Sequence, residues 1–295
     1  TNTFNLLIAE AGPGTIGKVL FLEEFPVKLG EGGINQGQIA PEAFKRGLET
    51  MNRIYSIISH HDPDHIVAMA TAAIRSARNG DEFISRVLEE TGISIQTIDG
   101  NQEAELIFLG VRVAMSLDVP SLIMDIGGGS VELILCDQSG IHWKKSYPLG
   151  AARLREKFHR VDPVDHRSLE DLHAYLEDTL EDFFAQCIGF SPVQLIGSAG
   201  AFETFDEIIR KGHPEKQENQ GPAVKFNTED LEEVLTMLIS STKLERENLP
   251  GLVAFRVDMI VMASVLTAFI LRKTGIKNVF LSTYSLKEGM LLAES

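Results

Sequence analysis

The chain has 295 residues, a net charge of −15, 44% hydrophobic and 23% charged side chains. This is the balance of a globular chain, not a disordered one. The acidity argues against DNA or any general polyanion partner gathered by whole-molecule charge, while leaving room for a local basic groove.

No signal peptide is visible. The longest apolar stretch, Met259 to Leu271, is too short to span a bilayer, so a cytoplasmic protein with no membrane partner is expected. Cys136 and Cys187 show no CxxC spacing and read as buried free thiols of a reducing compartment. The chain opens at Thr1 without an initiator methionine, and further residues upstream are expected.

In chain order, residues 3–10 (TFNLLIAE) and 16–22 (IGKVLFL) are predicted strands around the turn AGPG. After the loop GEGGINQGQ, Pro41 opens a predicted helix to about Ser59. HIVAMA (65–70) is a strand ending at Thr71, a helix follows from Asp81 to Glu90, and ISIQTI (93–98) is a strand. NQEAELIFLGVRVAM carries apolar residues at helical spacing.

Beyond Pro120, SLIMDI, SVELILC and IHWKKSY are strands, the last two joined by the turn DQSG. Helices are predicted over 150–159, 165–187, 199–211, 228–241, 255–274 and 284–293, with strands VQLIG (193–197) and KNVFLS between them. KGHPEKQENQGPA is a polar, mobile-looking loop. Alternation of strands and helices throughout gives the α/β class.

The second start repeats the first. An offset of 127 residues pairs Thr1 with Gly128, Thr3 with Ser130, Phe4 with Val131, Asn5 with Glu132 and Leu6 with Leu133. The same offset pairs Thr71 with Ser198, as duplication requires. The counterpart of Asp125 would lie two residues before Thr1, at the end of a strand closing on Asp-x-Gly.

DIGGGS (125–130) places three glycines between two strands. Glycine tolerates positive φ and lets backbone amides approach a ligand, and successive amides make a concave anion nest. The Lys that a Walker loop requires is missing. Asp125 and Glu132 flank the turn, and carboxylates beside a phosphate nest are suited to hold Mg²⁺, which takes oxygen ligands and keeps several waters. The competing reading is a tight hairpin with exposed acids.

DIGGGSVEL and TNTFNLLI together resemble the paired phosphate-binding hairpins of the sugar kinase, heat-shock chaperone and actin superfamily. More narrowly, the chain resembles the exopolyphosphatase/guanosine pentaphosphate phosphohydrolase (Ppx/GppA) family. ATAAIRSARNGDEF, GNQEAELIFLG, YPLGAARLREKF and IGSAGAFETF carry the resemblance along the whole chain.

The resemblance implies two actin-like (ribonuclease H-like) domains, residues 1–117 and 118–295, around an interdomain cleft, with the C-terminal helix packing back on the first. It implies Mg²⁺-dependent hydrolysis of the terminal phosphate of linear polyphosphate, with guanosine pentaphosphate as the alternative substrate and a homodimer as a plausible assembly. A phosphotransferase, or a non-catalytic sensor binding these polyanions, are the alternatives in other classes.

Glu103, which by position alone is an ordinary first-turn glutamate, matches the family's catalytic base. Asp99 and Glu105 are nearby rivals. Arg75 is implied as a phosphate clamp, and Thr1, Asn2, Thr3, Gly127, Gly128, Gly129 and Ser130 as phosphate contacts. Asp125 and Glu132 are implied as metal acids.

Within the basic segment 141–160, Lys144, Lys145 and Arg153 form a candidate polyphosphate track, with a solvated face as the bland reading. Two departures stand out. Ala263 and Lys287 occupy positions where relatives usually carry Gly and Arg.

Overall fold

The computed structural model describes residues 3–12, 14–198, 200–213 and 221–294. Thr1, Asn2, most of the polar loop between residues 211 and 223, and the expected strand ahead of Thr1 lie outside them.

Strands β1 (Thr3–Gly12) and β2 (Thr15–Pro26) form an antiparallel hairpin. Helix α1 (Pro41–His61) begins on its proline and buries Ala43, Gly47, Met51, Ile54 and Ile58, a stripe at helical spacing. Then come β3 (Ala68–Ala70), the single turn α2 (Ala72–Arg75), α3 (Gly80–Thr91) and β4 (Ile95–Thr97), which runs parallel to β3. Both strands are shorter than their apolar runs suggest. Helix α4 (Gly100–Ala114) starts at a capping box in which Asp99 accepts from the Asn101 and Gln102 amides.

The remaining strands are β5 (Ser121–Ile126), β6 (Val131–Asp137), β7 (Gly140–Tyr147), β8 (Gln194–Ser198), β9 (Ala223–Lys225) and β10 (Asn278–Ser282). They make one mixed sheet in the order β7-β6-β5-β8-β10-β9, with β5, β8 and β10 parallel.

Side-chain alternation sends Leu122, Met124, Leu133 and Leu135 to one face. There α5 (Ala151–Phe158), α6 (His166–Thr179), α7 (Glu181–Phe190), α8 (Gly200–Gly212), α9 (Thr228–Ser240) and α11 (Ile260–Thr274) cover them. Ile123, Ile134, Cys136 and Ile196 point the other way and meet Ala104, Ile107, Phe108 and Val111 of α4. Both faces of β5 are therefore apolar, which explains its unbroken hydrophobic run.

The short α10 (Lys243–Glu247) follows α9, and α12 (Leu286–Glu294) packs on α4 and against β1 and β2. Cys136 and Cys187 are buried and free. No described helix is long and apolar enough to cross a membrane.

The repeat is visible in space. At the 127-residue offset β1 answers β6, β2 answers β7 and β3 answers β8, while β4 lies parallel to β3 as β10 does to β8. In the second half β5 joins β6 to β8. Residues of both halves line a common cleft.

Candidate active site

Register places the acids. Asp125 on β5 faces Glu132 on β6, Glu132 faces Ser146 on β7, and Asp125 faces Ser198 on β8. These four form one polar rung across the sheet, because directly opposed residues share a face. Ser146 donates to Glu132 Oε1 at 2.6 Å and Ser198 to Asp125 Oδ2 at 2.9 Å. Burial pushes the Asp125 carboxyl up to about 7, and the Glu103 charge adds to that. Glu132, 1% exposed, is raised well above the ordinary glutamate range by burial and then by the charges of Glu103 and Asp125.

Glu103 reaches this group because the start of α4 lies against β7. A Cβ at Gly100 would strike the side chain of Ser146, so only glycine permits the approach. Glu103 is 6% exposed, and burial raises its carboxyl despite Arg75. Arg75 donates from Nη1 to Glu103 Oε2 at 3.0 Å and to the Ile98 carbonyl at 2.7 Å. The rivals are otherwise engaged. Asp99 caps α4 and is held low by the amides it accepts, while exposed Glu105 pairs with Lys144.

The triple glycine does not use the left-handed backbone that glycine permits. None of Gly127, Gly128 and Gly129 takes a positive φ. Their smallness serves close packing. The Gly127 and Gly128 carbonyls accept from the Ala151 and Ala152 amides at 2.9 Å each, which seats the loop on the start of α5. A Cβ at Gly150 would collide with the Gly128 and Gly129 backbone. With the carbonyls turned to α5, the Gly128 and Gly129 amides have no acceptor among the described residues.

Thr3, Asp125, Gly127 and Gly128 line the cleft together with Thr71, Arg256 and Lys287. Thr71, the repeat partner of Ser198, lies near enough to Glu103 to pull its carboxyl down slightly. Glu103 and Glu132 are buried beside the cleft, and the Ser130 side chain counters part of the rise at Glu132. Thr1 and Asn2 lie outside the described residues.

The three track candidates are all occupied. Lys144 pairs with Glu105, Lys145 with Asp182 at 2.5 Å, and Arg153 bonds backbone and neutral side-chain oxygens. Sequence reasoning missed Ser146 and Arg256. Arg256 bonds the Gly200 carbonyl and Thr204, and pairs with Glu203 at 3.4 Å and with Glu24 of β2 at 2.8 Å.

The Ppx/GppA phosphatase family model matches residues 7–295. An exopolyphosphatase of known structure from Cytophaga hutchinsonii is 37% identical with a TM-score of 0.95, covering 100% of this chain and 95% of that one. Exopolyphosphatase 1 of Mycobacterium tuberculosis is 26% identical over 300 residues, covering 99% of this chain and 85% of the relative. The Aquifex aeolicus Ppx/GppA protein, at 20% identity and a TM-score of 0.76 over 99% of this chain and 94% of that one, shares the fold. A match that spans the paired hairpins, the α4 glutamate and the last helix alike leaves one assignment: the chain belongs to the Ppx/GppA phosphatase family.

Proposed function

We propose that the protein is an exopolyphosphatase that releases the terminal phosphate of linear polyphosphate, with residues 1–117 and 118–295 as the two walls of its cleft. The observation that carries this is the placement of Glu103. It is a buried carboxylate held by Arg75, facing two further acids at the foot of a loop whose Gly128 and Gly129 amides have no acceptor among the described residues. The similarity to exopolyphosphatases supplies the substrate class.

Thr3 and the loop Gly127–Ser130 bind the terminal phosphate, as a backbone nest does. Thr1 and Asn2 complete that set. Glu103 orients a water and accepts its proton as the water oxygen attacks phosphorus, and the bond to the penultimate phosphate breaks. Arg75 keeps Glu103 in place and ionised, and offsets charge on the phosphoryl oxygens.

The acids fit a divalent cation. They are an oxygen-only donor set whose charges raise one another's proton affinity. Among the described residues no three histidine, cysteine or acidic side chains can cage an ion. Mg²⁺ is bound through one or two carboxylates, waters and substrate phosphates. Asp125 and Glu132 would hold it, and when bound it neutralises charge on the phosphates. Function in the cytoplasm as a homodimer completes the proposal.

Glu103→Gln should lower phosphate release from polyphosphate by roughly 10²- to 10⁴-fold while polyphosphate still binds; unchanged turnover would remove Glu103 as the base. Guanosine pentaphosphate assayed beside polyphosphate tests the substrate, and faster release from the nucleotide would replace the polyphosphate assignment.

A further inference from the structure

The hydrolysis proposed above needs two walls at a fixed spacing. Glu103 and Arg75 stand on one, the glycine loop on the other. One side chain bonds to both. Arg153, in the first turn of α5, donates from Nε to the Gly129 carbonyl at 2.9 Å, on its own wall. Its Nη2 donates to Ser76 Oγ at 3.0 Å, in the residue directly after Arg75. Its Nη1 donates to the Ile34 carbonyl at 2.8 Å and to Asn35 Oδ1 at 3.4 Å.

Three features make this a fixed strut. The guanidinium is planar, so its donors leave in set directions and the acceptors are held in one plane. The Ser76 hydroxyl that accepts from Arg153 donates onward to the Ala72 carbonyl at 2.7 Å, which ties the contact into α2, the turn ending at Arg75. The base of the strut is anchored as well. Asn35 Nδ2 donates to the Arg153 carbonyl at 3.3 Å and to Glu156 Oε2 at 2.9 Å, and the Gly32 amide donates to Glu156 Oε1 at 3.3 Å. None of the acceptors of the Arg153 guanidinium is a carboxylate.

We propose that Arg153 is a positioning residue for phosphate release. It sets the distance between the glycine loop and the Arg75–Glu103 pair, and it does not serve as a contact for the distal polyphosphate chain. The inference rests on the hydrolase reading of the site. A displacement of about 1 Å between reacting groups can cost roughly 10²-fold in rate, so the effect falls on turnover.

The test is steady-state kinetics of Arg153→Ala, Arg153→Lys, Ser76→Ala and Asn35→Ala on a short and a long polyphosphate. For Arg153→Ala the expected result is a kcat loss of about 10- to 100-fold, equal for both chain lengths, with KM within about twofold. Arg153→Lys, which keeps the charge but loses the fork, should recover only a small part. Ser76→Ala removes the far anchor without touching the charge and should lose part of kcat, with no further loss when added to Arg153→Ala. Full activity of both Ser76→Ala and Asn35→Ala would overturn the strut, even where Arg153→Ala fails to fold. So would a rise in KM for the long chain alone with kcat kept, which is the signature of a substrate track. Retained turnover in Glu103→Gln would instead strike the base assignment, and leaves the Arg153 result readable by itself.

Discussion

Ser146 and Ser198 show how single hydroxyls decide what the buried acids can be. Each donates one hydrogen bond to a carboxylate that burial pushes toward the protonated state, and so offsets part of that push. His159 is the opposite case, away from the cleft. Its side chain is almost fully buried, its Nδ1 has no hydrogen-bond partner among the described residues, and burial lowers its pKa below the ordinary 6.5. A depressed histidine favours the neutral form in the fold. Its contribution to stability is therefore complete above about 6.5 and is lost as pH falls below that. Urea midpoints of the parent chain should drop between pH 7 and pH 5 more than those of His159→Gln. Parallel curves for the two proteins would show that His159 has no part in the slope.

Local motifs and the family resemblance pointed to Asp125, Glu132 and Glu103, and the structure brings these three carboxylates together. Ser146 was not legible in the sequence, and the reason is a register. The turn pairs Asp137 with Gly140 and Cys136 with Ile141, but an irregularity between Leu135 and Cys136 then shifts β7 by one residue. Counting straight back from the turn would set Lys145 opposite Glu132; the shift brings Ser146 instead. No pattern within either strand announces such a bulge.

At the scale of elements, long periodic segments such as α1 and α4 came through, and boundaries set by tertiary contact did not. The single helix expected over 165–187 divides at Leu180 into α6 and α7. Beside the break, Asp182 accepts from the Tyr147 hydroxyl at 2.8 Å and pairs with Lys145. The helix expected from 255 begins at Ile260, because residues 253–259 form successive turns that aim Arg256 at Gly200 and Thr204.

The contact between α4 and β7 carries a prediction of its own. Gly100→Ala has to push the start of α4 away from Ser146, moving Glu103 relative to Asp125. Turnover should fall about 10-fold or more, with a stability cost of about 1–3 kcal/mol from overpacking. Phosphate release and a denaturant midpoint measured on one preparation separate the two effects, and a variant with normal turnover would show that α4 tolerates the shift.

For the whole molecule, the two walls are pinned at separate places. Arg153 and Glu156 join α5 to the loop around Ile34, and Lys28 and Arg155 both approach Asp258, at 3.5 and 3.6 Å. On another side Arg256 holds Glu24 and Glu203 together, and burial already raises the Glu203 carboxyl. Arg256→Met removes the cation that bridges the two acids and leaves Glu203 only the nearby charge of Lys287. A loss of about 1–3 kcal/mol is expected, the partial exposure of both acids keeping it below the cost of a fully buried break. Urea unfolding at neutral pH checks this, and the loss should shrink in acid as Glu203 takes up a proton.

The packing of α12 on α4 also has a meaning in time. A chain made from its N-terminus extends at roughly 5–20 residues per second, so α4 leaves the ribosome long before α12 does. Until residues 286–294 arrive, the helix bearing Glu103 lacks the neighbour that covers it, and β1 and β2 lack theirs. The surroundings of Glu103 are therefore completed only after the segment 286–294 has been made and has docked on α4.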